Sequence, residues 1–188
     1  MIKNHTVKNL ILFFVYILLI ITLYTFLHEG GHAIIGILGG QKVTEFNINF
    51  WDLSAHVSFC TEYPIQGFYK YALPVAGWFL PYILWLVSIL FIKKTDNVKY
   101  EFIKLLPSIM IISSTLPYII LTVAYELGAT ISEDSISFLN VTGLSGYFVS
   151  GIFTIIIYFS IKLLFHKINF SLFRNQTGKF KEFSYDKN

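Results

Sequence analysis

Residues 10–38 read LILFFVYILLIITLYTFLHEGGHAIIGIL, with no charge before His28. A helix needs about 20 mainly apolar residues to cross a bilayer, so this stretch reads as a membrane span. Its interruption, His28-Glu29-Gly30-Gly31-His32, is the decisive feature. Ionisable groups at membrane depth are costly and face a protein interior or a polar cavity, so the span belongs to a bundle that encloses something. Residues four apart on a helix lie one turn above each other, which lets His28 and His32 offer two imidazole nitrogens to one metal ion. Glu29 lies about 100° round the helix, outside the ligand pair yet within reach of a water at the metal, the place of a general base.

Gly30 and Gly31 each weaken a helix by about 1 kcal/mol relative to Ala, so their presence implies a close approach to that backbone. Gly36 carries the His28/His32 ridge one turn further and Gly40 extends it. Small residues at four-residue spacing admit a packed helix or a substrate, and the sequence leaves both open.

The H-E-x-x-H spacing is the metalloprotease signature. With Gly31-His32-Ala33 completing it, the segment resembles the site-2 protease family of intramembrane zinc metalloproteases. The resemblance covers the first helix and, loosely, the layout of the remainder. It implies Zn²⁺, a third ligand supplied as an Asp from a later segment, a β-element after the motif helix, and a membrane-anchored protein or peptide as substrate.

Composition agrees with a membrane protein. Among 188 residues, 55% are hydrophobic, 18% aromatic and only 13% charged, which suits one domain, 1–188, built in lipid. The single cysteine, Cys60, excludes an intrachain disulfide and a cysteine-based zinc cluster. Lys3 and Lys8 before the first apolar run resemble a signal peptide, but the run exceeds a 7–15-residue h-region and leads into the motif, so a retained signal anchor is expected.

Four apolar stretches, about 10–38, 71–92, 102–127 and 144–165, predict an all-α polytopic membrane protein with a small β-hairpin after the first helix. All Lys and Arg except Lys42 and Lys70 fall in the N-terminal tail, the 93–104 connection or the segment from Lys162 onward. The positive-inside rule then predicts a cell-membrane protein with both termini cytoplasmic and the 39–70 and 128–143 connections outside. His28 lies about 30 Å along the helix from Lys8, towards the outer side, whereas the resemblance implies a site nearer the cytosolic face.

Between the first two spans, residues 43–60 change to a period of two. Phe46, Ile48 and Phe50 alternate with Glu45, Asn47 and Asn49, and then Leu53, Ala55, Val57 and Phe59 with Ser54, His56 and Ser58. This predicts a hairpin turning near Trp51-Asp52. Strand edges recruit extended peptides, which makes Phe46 and Ile48 candidate substrate contacts, and His56 reads as a solvated residue. Pro74, Gly77 and Pro81 predict a kinked second span, Pro107 and Pro117 a broken or kinked third, and Trp78 and Trp85 read as packing or lipid-facing residues.

Two histidines require a third protein ligand and an open position, and a carboxylate suits the former. Asp134, in Ser132-Glu133-Asp134-Ser135, precedes the helical pattern of Ile136, Leu139 and Leu144 and stands where the resemblance implies the Asp; Glu133 and Glu126 are the alternatives. A helix N-cap would also explain Asp134. Asn140 is a candidate donor to substrate or oxyanion. The basic aromatic tail, 166–188, is expected on anionic lipid headgroups, with no nucleic-acid partner. The expected activity is zinc-dependent peptide hydrolysis with Glu29 as base; a non-catalytic adaptor with a structural or degenerate metal site and a small metal transporter are the alternatives.

Overall fold

The computed structural model describes residues 2–48 and 55–173. It is mostly helical: α1 (Ile2–Leu38), β1 (Val43–Asn47), β2 (His56–Phe59), α2 (Tyr69–Phe91), α3 (Val98–Ser113), α4 (Leu116–Glu126), α5 (Asp134–Thr142) and α6 (Gly146–Lys167). Four segments are long and apolar enough to cross a membrane: Val7–Leu38, Tyr69–Phe91, Val98–Glu126 and Gly146–Lys167. The expected polytopic layout is therefore present, with boundaries shifted by a few residues.

The third span is broken. Pro117 has no N–H for the carbonyl of Ser113, and the chain steps through Ser114 and Thr115 with bonds from Ser114 N to Met110 O and Thr115 N to Ile112 O before α4 begins. Pro74 and Pro81 lie inside α2 and Pro107 inside α3 without ending either.

Helices in lipid gain little from apolar burial, so close packing and interhelical hydrogen bonds hold the bundle together. Trp78 donates to Thr115 Oγ1 at 3.0 Å, Trp85 to Ser108 Oγ at 2.9 Å, and Tyr118 to Pro74 O at 3.2 Å. Each such bond contributes about 0.6 kcal/mol, up to about 1.7. Both tryptophans are buried packing residues; Trp78 joins Tyr118, Ile136, Leu139, Val149 and Phe153 in the main core. Residues 136 and 139 belong to α5, so this core pins a helix too short to span the bilayer. Gly143, at φ +69°, ends α5 in the left-handed conformation that glycine adopts most readily.

The hairpin follows the alternation. Phe46 pairs with Val57, Glu45 with Ser58 and Asn47 with His56, which keeps the apolar pair on one face and the polar pairs on the other. The turn expected at Trp51-Asp52 lies outside the described residues. Gly36 in α1 and Gly39 just after it are packing positions: a Cβ on Gly36 would strike the Phe59 ring, and one on Gly39 would meet Ile65 and Tyr69. The hairpin and the segment after it thus lie against the end of α1.

Polar contacts gather at the opposite end of the bundle. Glu101 is fully buried and accepts from Thr95 N, Thr95 Oγ1, Lys104 Nζ and Asn169 N. Lys167 Nζ donates to Leu90 O at 2.6 Å. These bonds tie the 92–97 connection and the end of α6 to the start of α3.

Candidate metal centre

His28, His32 and Asp134 converge although 102 positions separate His32 from Asp134 in sequence. The three facing atoms form a nearly even triangle: His32 Nε2 to His28 Nε2 3.4 Å, His32 Nε2 to Asp134 Oδ2 3.1 Å, and His28 Nε2 to Asp134 Oδ2 3.3 Å. Two elements set this geometry. The helical turn of α1 stacks the imidazoles, and α5, anchored through Ile136 and Leu139, presents its first residue to them. The N-terminal end of a helix is also where a carboxylate is most favoured.

The tautomer of His32 follows from its other nitrogen. Nδ1 lies 2.9 Å from Leu73 O, and a carbonyl only accepts, so Nδ1 carries the proton and Nε2 presents a lone pair. That lone pair faces a carboxylate oxygen and a second imidazole nitrogen. Three electron-rich atoms at such distances repel unless a cation lies among them, and one metal ion would satisfy all three. The group can therefore hold a metal ion, and its two-nitrogen, one-oxygen donor set fits zinc chemistry.

The second span leaves room for this. A Cβ on Gly31 would overlap Ala76 O, and a Cβ on Gly77 would overlap the Nε2 atoms of both histidines. Two glycines thus bring α2 against the motif turn and leave the cradle open. The sequence suggested close packing at Gly77 but gave no sign that the space belonged to the site.

A cavity of about 430 Å³ opens on the triangle, lined by the three residues together with Glu29, Glu133 and the β2 segment around His56. Glu29 is 8% exposed and so is held within the protein beside the histidines. Glu126 instead accepts from Gly146 N at the start of α6, which leaves Asp134 as the carboxylate in the triangle and Glu133 at the cavity wall. The cavity wall is formed by β2, whereas Phe46 on β1 is stacked edgewise on Phe26 with centroids 5.9 Å apart. Ile48 follows β1 and does not line the cavity. Asn140 is also away from it, accepting from Tyr125 Oη at 2.9 Å. His56, read as a solvated residue, faces Glu45 at 3.6 Å and also lines the cavity. Its strand alternation gave its face but not its neighbour.

Comparison with protein-family models, curated proteins and solved structures finds no match. The local geometry therefore carries the functional argument.

Proposed function

We propose that this chain is an intramembrane zinc endopeptidase, chemically similar to the site-2 proteases that its HEGGH segment resembles. The convergence of His28, His32 and Asp134 beside the buried Glu29 carries the reading. Zinc bonds of 2.0–2.2 Å meeting at tetrahedral angles separate ligand atoms by about 3.3–3.6 Å. Two of the separations here, 3.3 and 3.4 Å, fall in that range and the third, 3.1 Å, lies just below it, which supports that metal.

Bound zinc would polarise the scissile carbonyl and make water nucleophilic near neutral pH. Glu29 takes the attacking water's proton on its carboxylate and returns it to the leaving amine nitrogen. Leu73 O accepts from His32 Nδ1, so Nε2 would be free to offer its lone pair to a metal. The β2 segment at the cavity wall holds the substrate extended by main-chain hydrogen bonds, which exposes the scissile carbonyl. Two helices of membrane-spanning length, α1 and α2, line the cavity, so the substrates are membrane-anchored proteins or peptides.

Glu29→Gln tests the assignment with a membrane-anchored reporter in reconstituted vesicles. The variant should retain zinc and lose cleavage by at least about 100-fold, the usual scale of general-base catalysis. Cleavage at the wild-type rate would remove Glu29 as the base. Zinc flux through wild-type vesicles without any cleavage would favour the carrier instead.

A further inference from the structure

Beside His28 and Asp134 lies a second cavity of about 190 Å³, also lined by Tyr24, Ser114, Tyr118, Glu133 and Ser135. His28 also lines it, and His28 Nδ1 is buried without a hydrogen-bond partner. Ser135 is 2% exposed, and its Oγ is likewise buried and unpartnered. Two orphaned polar atoms at one small cavity are a discrepancy that native proteins resolve with bound water.

The identity of the occupant follows from charge and protonation. If His28 gives its Nε2 lone pair to a metal, Nδ1 must carry the proton and needs an acceptor. Glu133 and Asp134 disfavour an anion there, and a cation would offer Nδ1–H no lone pair. Water accepts from Nδ1 and can also donate to Ser135 Oγ. At about 30 Å³ per molecule the space holds several waters, and Tyr24 and Ser114, whose Oγ donates to Ile111 O at 2.7 Å, also line it.

We propose that this cavity is a hydration chamber in which Ser135, acting through bound water on His28 Nδ1, is a positioning residue for the metal centre. The two ligands are then oriented differently. His32 is fixed by the Leu73 carbonyl, and His28 by water that Ser135 helps to hold. This inference rests on the metal-binding part of the proposed function and does not depend on proteolysis.

The test is zinc affinity, measured in detergent by competition with a calibrated chelator, on wild type, Ser135→Ala, Ser135→Thr and Ser135→Val. Thr and Val have the same shape and differ in the hydroxyl. Wild type and Ser135→Thr should bind alike, while Ser135→Val and Ser135→Ala should bind about 10- to 100-fold more weakly, the scale of lost outer-shell support. In ¹⁵N-histidine spectra, the His28 Nδ1–H should exchange faster with solvent in the Val variant than in the Thr variant. Equal affinities and exchange rates for Thr and Val, or for Ala and wild type if the bulkier pair fails to fold, would overturn the proposal while leaving the metal centre standing. Wild type that binds no zinc would contradict both.

Discussion

Gly77 of α2 faces His28 of α1 so closely that a Cβ on the glycine would lie 2.6 Å from His28 Nε2. The second span thus helps shape the space in which the metal would sit. Gly77→Ala should leave a folded bundle, because Ala favours a helix over Gly by about 0.5–1 kcal/mol. Metal affinity should nevertheless fall at least tenfold, since the methyl group and the ligand atoms claim one volume. Zinc titration of the purified variant checks this; unchanged affinity would show that the two helices separate readily.

Gly31 makes the matching contact on the other helix. A Cβ there meets Ala76 O and the Gly77 Cα, both backbone atoms that cannot swing aside. Gly31→Ala should force α1 from α2 and cost about 1–3 kcal/mol, as overpacking commonly does. A lower thermal midpoint in detergent, accompanied by weaker metal binding, is expected. Gly30→Ala is the control, because nothing lies within 4 Å of its Cβ position.

Glu101 offers a test of stability far from the site. Its fully buried carboxylate accepts from two backbone N–H groups and from Lys104 Nζ at 2.6 Å. Glu101→Ala would strand those donors, with an expected cost of about 3 kcal/mol. Glu101→Gln keeps an acceptor and should cost less. Denaturation midpoints measure both, and a wild-type midpoint for Glu101→Ala would contradict the role given to this cluster.

Orientation in the membrane rests on charge. The lysine-rich 93–104 connection and the end of α6 meet at one end of the bundle, joined by Lys167 and Asn169. With that end cytoplasmic, Cys60 lies outside and should react with a membrane-impermeant maleimide in intact cells. Reaction only after permeabilisation, with a fusion after Asn188 reading as external, would reverse the topology.

Much of this arrangement was legible in the sequence because it rests on local periodicity. The apolar runs gave the spans, the period of two gave a hairpin with Phe46 and Val57 among its apolar positions, and the four-residue spacing gave His28 above His32. Asp134 was reachable because a two-histidine site needs a carboxylate and this one heads an apolar helical pattern. Long-range relations left no such trace. Gly77 resembled any packing glycine, Glu101 any charge in a lysine-rich connection, and Asn140 gave no sign that Tyr125 would engage it. Alternation predicted which hairpin residues share a face but could not choose which strand borders the cavity.

The most direct test of the central claim is zinc per chain in detergent-purified protein, by elemental analysis of wild type, His28→Ala and Asp134→Ala. The triangle predicts about one zinc in the wild type and a marked loss in both variants. Wild type that holds no zinc even after reloading, or Asp134→Ala that retains a full equivalent, would contradict the three-ligand centre.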